Sequence, residues 1–201
     1  MRTITSEREL LEHIKNNNIT LFIGKSNAGK DTLAKRFLRD YGFYGIVTCT
    51  TRPMRPGEKE GVDYYYKTVE EFRRLIQTGD IFEYRTYMTQ LNGIPDTWYY
   101  GSLKQDLDKN ARYIAVIEID GAKSYIDAYG ADRIGIVYLD VPVMVRTARA
   151  MARPGYSEEE WQRRLHTDDA DFSKKRLLDL TAKLGKPIVA YQNYLLESEV
   201  N

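Results

Sequence analysis

A single cysteine, Cys49, occurs in the 201 residues, so no internal disulfide can form and the fold must be held by packing. The two histidines, His13 and His166, have no cysteine or acidic constellation of metal-ligand spacing around them, and neither is given a role. Charge of one sign is also lacking. Thirty basic side chains against 29 acidic ones leave a formal charge of +1, too little for a global field that would draw the protein onto nucleic acid or an anionic membrane. Any anion must therefore be bound locally. No apolar run reaches membrane-spanning length, and the N-terminal residues lack the apolar core of a signal peptide, so a reducing cytoplasm is the expected location. No internal repeat or low-complexity tract is visible.

Charged residues at 29% and hydrophobic residues at 42% are the balance of a folded chain, and the length suits one domain with subdomains. Ser6-Glu7-Arg8-Glu9 has capping-box spacing ahead of Leu10, Leu11 and Ile14, which predicts a short amphipathic helix. Ile19 to Ile23 reads as a buried strand, and Leu33, Phe37 and Leu38 recur at helical spacing after Lys30. Further buried-type strands are expected at Gly45 to Cys49, Tyr113 to Ile119, Ile134 to Leu139 and Pro187 to Tyr191, with room between them for crossover helices. This alternation predicts an α/β fold whose parallel sheet is covered on both faces. From Thr50 to about Lys104 the pattern changes to crowded tyrosines, prolines and glycines, which reads as a small mixed-β insertion. The charged runs Glu58-Lys59-Glu60 and Ser157 to Arg164 read as solvated surface, and Trp98 and Trp161 as packing residues.

Between the first of these strands and the helix after Lys30 stands Gly24-Lys25-Ser26-Asn27-Ala28-Gly29-Lys30, the G-x-x-x-x-G-K core of a phosphate-binding loop. Its glycines permit a tight turn, so that backbone N–H groups and the helix N-terminus can point at a β-phosphate while Lys30 bridges the β- and γ-phosphates of ATP. The next position, where a Ser or Thr usually ligates magnesium, is Asp31, followed by Thr32. A carboxylate can ligate Mg²⁺, so Asp31 is the candidate metal ligand, and Thr32 can offer a hydroxyl to the α-phosphate.

Downstream come Thr48-Cys49-Thr50-Thr51-Arg52-Pro53-Met54-Arg55-Pro56-Gly57-Glu58, then Gly61-Val62-Asp63-Tyr64, Phe82-Glu83-Tyr84 and Tyr99-Tyr100-Gly101-Ser102. In this order, from the phosphate loop to about Leu165, the sequence resembles the guanylate kinase family of P-loop nucleoside monophosphate kinases. The resemblance implies a three-layer P-loop NTPase fold with a small mixed-β GMP-binding insertion and a helical lid. It implies a single domain with a core at 1–49, 106–145 and 166–201, an acceptor subdomain at 50–105 and a lid at 146–165. Carried over position by position, Arg52, Arg55, Tyr64 and Tyr100 correspond to the clamp on the GMP phosphate, a role that suits guanidinium forks and phenol hydroxyls. Thr48, Glu83, Ser102 and Asp120 correspond to the residues that read guanine, and the GMP site so implied also takes in Gly101 and Glu118. Between Glu83 and Tyr100 the chain is longer than the family spacing, which places a longer loop, Tyr84 to Tyr99 with Asn92-Gly93 inside it, beside the acceptor pocket.

Ala115-Val116-Ile117-Glu118-Ile119-Asp120 resembles the strand on which the family carries Asp-x-Asp, with Glu118 as the first acid. Arg149, Arg153 and Arg164 match the arginines of the family's lid and, with Lys30 and Arg52, are the expected catalytic set. Arg146 and Arg163 are expected on a solvent face, paired with neighbouring acids. Near the C-terminus Lys186 to Asn193 stands where the family has a strand followed by Asn-Asp, and no adenine contact is assigned there. The resemblance thus implies ATP-dependent phosphorylation of GMP or dGMP with Mg²⁺, on small-molecule substrates. Two other readings stand beside it: a P-loop kinase for a different nucleoside monophosphate or phosphorylated small molecule, and a non-catalytic interaction module of the kind that scaffold proteins build on this fold.

Overall fold

Ile19–Ile23 is buried at every position, as a strand covered on both faces must be. It is the second strand of a computed structural model that describes residues 1–91, 94–153 and 155–192. In chain order the elements are β1 (Arg2–Ile4), α1 (Glu7–Lys15), β2 (Ile19–Ile23), α2 (Lys30–Tyr41), β3 (Tyr44–Gly45), β4 (Cys49–Thr50), β5 (Tyr65–Tyr66), α3 (Val69–Gln77) and β6 (Ile81–Leu91). They continue with β7 (Ile94–Leu103), β8 (Tyr113–Val116), α4 (Ile119–Tyr129), β9 (Ile134–Leu139), α5 (Val143–Met151), α6 (Glu158–Asp171), α7 (Lys174–Leu184) and β10 (Val189–Tyr191).

The chain divides into two compact units, one made of Met1–Gly45 with the chain from Lys109 onward, the other of Ile46–Asp108. The first holds a six-stranded sheet in the order β1-β10-β9-β2-β8-β3, parallel throughout. One face is closed by α1 and α2: Leu10, Ile14, Leu33, Ala34 and Phe37 pack with Phe22, Ile114, Val137 and Val189. Alternate residues Leu21 and Ile23 point the other way and are equally buried, and α4 lies against β2, β9 and α7. The three-layer α/β arrangement expected from the strand and helix pattern is therefore present. Ser6 caps α1 by accepting from the Glu9 N–H at 3.3 Å, as its spacing predicts.

The second unit holds a four-stranded mixed sheet, β5-β4-β7-β6, in which β4 and β5 are parallel and the other pairs antiparallel. Helix α3, opened by a full capping box between Thr68 and Glu71, seats Phe72 against Cys49 and Ile81 in a small core of its own.

Three expectations are corrected. The run from Gly45 to Cys49 is not one strand: Tyr44–Gly45 joins the parallel sheet beside β8, whereas Cys49–Thr50 belongs to the mixed sheet. The strand expected over Tyr113 to Ile119 stops at Val116, so that Glu118 is the N-cap of α4 and Asp120 lies in its first turn. The loop expected over 84–99 is instead strand in its described residues, β6 up to Leu91 and β7 from Ile94, an antiparallel pair with Glu83 opposite Ser102, Arg85 opposite Tyr100 and Tyr87 opposite Trp98. Asn92, Gly93 and Asn193 lie outside the described residues. The edge strand β1 was not anticipated, because three residues carry too little periodicity to register.

Candidate functional site

In the first unit, β2 delivers the chain at its C-terminal end to the loop 24–29 and α2 takes it away. The turn needs left-handed backbone at two places, Asn27 at φ 58° and Gly29 at φ 88°. Asparagine tolerates that region, while at Gly29 a Cβ would also come within 3.4 Å of the Arg149 Nη1. The loop closes on itself through the Ala28 N–H, which donates to the Lys25 carbonyl at 3.2 Å. Lys30 Nζ reaches back over the loop and donates to the carbonyls of Gly24 at 2.5 Å and Lys25 at 3.3 Å. Asp31 and Thr32 are exposed in the first turn of α2.

Two arginines of α5 lie against this loop. Arg149 Nη1 donates to the carbonyls of Asn27 at 3.3 Å and Ala28 at 3.1 Å, which brings one of the expected lid arginines onto the phosphate loop. Arg146, expected on a solvent face, is instead buried. It donates to the Val141 and Ser26 carbonyls and to Asp168 Oδ2 at 2.9 Å, and its guanidinium lies 5.9 Å from the Trp161 ring centroid. The carboxylate of Asp168 in turn accepts from the Ser26 N–H and hydroxyl, each at 3.0 Å. Lys25 pairs with Asp169 at 2.5 Å, which holds that carboxyl below its ordinary range. Arg153 and Arg164 line a depression of about 190 Å³ together with Asn27, Tyr156 and Trp161. Glu160 at its edge accepts from Arg163 and Arg164, and those bonds pull its carboxyl down to about 2.

Glu118 and Asp120 also belong to this unit. Asp120 is exposed and paired with Arg176 of α7 at 2.7 Å, a contact that tethers the start of α4 to α7.

In the second unit the Pro-Gly turn after Arg52 returns the chain so that Glu58 meets it. Arg52 Nη1 donates to Glu58 Oε2 at 2.7 Å and Nη2 to Oε1 at 2.5 Å, with the guanidinium 5.0 Å from the Tyr64 ring centroid and 5.7 Å from that of Tyr66. Glu58 Oε2 also accepts from the Tyr66 hydroxyl at 2.6 Å and the Arg55 N–H at 2.8 Å. The Arg52 hydrogen bonds pull Glu58 down to about 2, and Glu58 raises Arg52 above its ordinary value. Burial, then the bond to Glu58, pushes the Tyr66 phenol up to about 12. The Tyr64 and Tyr100 rings meet edge to face at 6.1 Å. Thus Arg52, Tyr64 and Tyr100 stand together, whereas the Arg55 side chain is on the exposed surface of the turn.

Glu83 and Ser102 face each other across β6 and β7, and the Ser102 hydroxyl donates to Glu83 Oε2 at 3.1 Å. Gly101 sits between them and α3: a Cβ there would lie 2.8 Å from Phe72 Cζ and 3.0 Å from the Glu83 carbonyl oxygen. The Thr48 carbonyl accepts from the Tyr65 N–H at 2.9 Å. Burial pushes the Cys49 thiol up to about 11, which leaves it un-ionised and inert at neutral pH.

Three residues of these constellations were not anticipated: Glu58, Arg146 and Asp168. Glu58 belongs to a charge run that reads as surface, yet an acid just past a proline-glycine turn that follows an arginine is a local signal for the pair. Arg146 and Asp168 are 22 positions apart and carry no local signal.

A family model described as guanylate kinase matches residues 16–173. Guanylate kinases of Streptococcus pyogenes, from a serotype M3 and a serotype M18 strain among others, are 40% identical over 106 residues, which is 52% of this chain and 48% of theirs. The chain spans about half the length of the curated relatives it matches. The crystal structure of guanylate kinase from Anaplasma phagocytophilum superposes with a TM-score of 0.57 over 92% of this chain and 82% of that one. At 23% identity that likeness concerns the fold. Among the described residues no helix is long and apolar enough to cross a membrane.

Proposed function

Because the chain belongs to the guanylate kinase family, we propose that it transfers the γ-phosphoryl group of ATP to GMP or dGMP. The observation that carries this reading is that the family match, residues 16–173, takes in both the phosphate loop and the stretch from Arg52 to Ser102. A binding module would have no need of a γ-phosphate cradle.

In this reading N–H groups of the loop such as those of Asn27 and Gly29 hold the donor phosphates, and Lys30 exchanges its bonds to the Gly24 and Lys25 carbonyls for bonds to phosphate oxygens. Arg149, Arg153 and Arg164 supply positive charge where the transferring group becomes more exposed to repulsion, a contribution of about 10³ to 10⁵ in rate for one well-placed arginine. Magnesium, when bound, would supply neutralisation of the charge on the donor phosphates. Asp31, an exposed carboxylate in the first turn of α2 directly after Lys30, is the residue that would hold it. Mg²⁺ in kinases is typically held by one or two carboxylates, water and the substrate's own phosphates.

On the acceptor side Arg52, Arg55, Tyr64 and Tyr100 take the monophosphate. Glu58 orients the Arg52 fork through its two parallel hydrogen bonds. The residues proposed to read guanine are Thr48, Glu83, Ser102 and Asp120, with Gly101 and Glu118 assigned to the same acceptor set. A carboxylate fixed by the Ser102 hydroxyl can accept from both N1–H and the exocyclic amine of guanine. Adenine has neither donor at that edge and would leave the carboxylate unpaired, a discrimination of about 10⁴. The proposed location is the cytoplasm, where both nucleotides occur.

A parallel assay of ADP formation with GMP, dGMP, AMP, CMP, UMP and dTMP tests the reading. The expected result is turnover with GMP or dGMP that falls by about 10² to 10³ in Lys30→Ala. Preference for another acceptor would retire the guanine assignment and keep the kinase. A folded protein that binds no ATP would instead favour the interaction-module reading.

A further inference from the structure

We propose that Asp168 and Arg146 are a positioning pair for the phosphate loop, setting the plane of the Ser26–Asn27 peptide so that the Asn27 N–H turns toward bound phosphate. This rests on the kinase reading and assigns a role to two residues outside the expected site.

The geometry converges on one residue, Ser26. The Ser26 N–H donates to both oxygens of Asp168 at 3.0 Å, and the Ser26 hydroxyl donates to Oδ1 at the same distance. Arg146 Nη1 donates to Asp168 Oδ2 at 2.9 Å and to the Ser26 carbonyl at 3.3 Å. The pair therefore grips both the donor and the acceptor of a single loop residue. In a planar trans peptide the C=O of one residue and the N–H of the next point in opposite directions. With the Ser26 carbonyl drawn to Arg146, the Asn27 N–H must face away from it. Arg149 repeats the device two residues on: it holds the Ala28 carbonyl at 3.1 Å, which turns the Gly29 N–H to the opposite side.

Carbonyl oxygens left facing a phosphate would repel it, so tying them outward is as important as aiming the N–H groups inward. Both members of the pair are buried, Arg146 at 3% and Asp168 at 7% exposure, and the arginine's remaining contacts are the Val141 carbonyl and the Trp161 ring. A buried ion pair is weak evidence for stability, since apolar residues of similar size commonly replace one at little loss. Its value here lies in the backbone contacts, which an apolar pair cannot make.

That difference supplies the test. The double variant Arg146→Met/Asp168→Leu removes both charges together and avoids stranding either. It is compared with wild type by thermal melting and by calorimetric titration with a non-hydrolysable ATP analogue and, separately, with GMP. The expected result is a melting temperature within a few degrees of wild type, GMP affinity unchanged, and ATP-analogue affinity weakened about tenfold or more, the scale on which misplaced positioning groups act. A folded double variant that binds the analogue as tightly as wild type overturns the proposal. Should the double variant fail to fold, Asp168→Asn serves as the second arm. It keeps an oxygen for the Ser26 N–H but sets an amide against Arg146, and the same comparison of affinities decides. If wild type itself binds no ATP analogue, the kinase reading falls first and the pair's role with it, so the two failures are told apart by the wild-type titration.

Discussion

Arg52 and Glu58 meet fork to fork, Nη1 to Oε2 at 2.7 Å and Nη2 to Oε1 at 2.5 Å, with the arginine side chain 4% exposed and the glutamate 19%. Two parallel charge-assisted bonds fix the plane of a guanidinium more firmly than one. The consequence is that Arg52 can meet an anion only with the donors that Glu58 leaves, so in the proposed acceptor role the acid sets the angle at which a phosphate is received.

Replacing Glu58 with glutamine keeps its shape and removes its charge. The Glu58→Gln variant is expected to raise the acceptor's KM about tenfold and to lose about 2 kcal/mol of stability at neutral pH, the scale for a hydrogen bond to a charged group. The pH dependence follows from the carboxyl's position at about 2, below its ordinary 4.5. A folded-state value that is depressed contributes stability fully present above 4.5 and lost as pH falls toward 2. Urea midpoints measured across that window should converge for wild type and variant at the acid end. Parallel curves would mean the carboxylate charge is not the source.

The phosphate loop is legible in sequence because its chemistry is local: seven consecutive residues specify the turn, the lysine and the helix start. The parallel sheet is legible for a similar reason, since strands buried on both faces read as unbroken apolar runs such as Ile134–Leu139. What stayed hidden is non-local. Arg146 and Asp168 become partners only because α5 and α6 pack around the loop, and nothing near either residue announces it. The division of the 44–50 segment between two sheets is likewise a matter of which neighbours it finds, β8 for Tyr44 and β7 for Cys49. The stretch 84–99 also carries a local signal: Asn92-Gly93 between β-rich arms is a strong hairpin signature, and Leu91 and Ile94 beside it are paired.

His13 lies on α1 with its Nε2 buried and, among the described residues, without a hydrogen-bond partner. Burial, aided by Lys186 and Arg2, pushes the imidazole down from 6.5 to about 4. The unfolded chain takes up its proton near 6.5 while the folded chain resists until about 4, so stability is full above 6.5 and declines as pH falls through that interval. The loss is expected to reach at most about 2 kcal/mol near pH 5, reduced by the partial exposure of the ring. In His13→Leu this part of the pH slope should vanish in denaturant titrations at pH 7 and pH 5. A slope unchanged in the variant would rule the histidine out as its origin.

Gly101 offers a test of how closely the mixed sheet and α3 set the Glu83 carboxylate, the group proposed to read the base. A Cβ at that position would lie 2.8 Å from Phe72 Cζ, 3.0 Å from the Glu83 carbonyl oxygen and 3.1 Å from Ile81 Cγ2. The first contact is with a ring buried in the unit's small core, and the second is with backbone, so neither neighbour can yield cheaply. Gly101→Ala is therefore expected to cost about 1 to 3 kcal/mol, as overpacking of a close-packed site does. Relief is easiest by pushing β6 away from β7, which carries the Glu83 carboxylate off the Ser102 hydroxyl that fixes it. Selectivity for guanine over adenine should then fall together with stability. The measurement is the ratio of kcat/KM for GMP and AMP beside the melting temperature, with Phe72→Leu as the compensating partner that opens space under the new methyl. Recovery of both quantities in the double variant would identify the clash with Phe72 as the cause. Recovery of stability without selectivity would locate the damage at the Glu83 backbone instead.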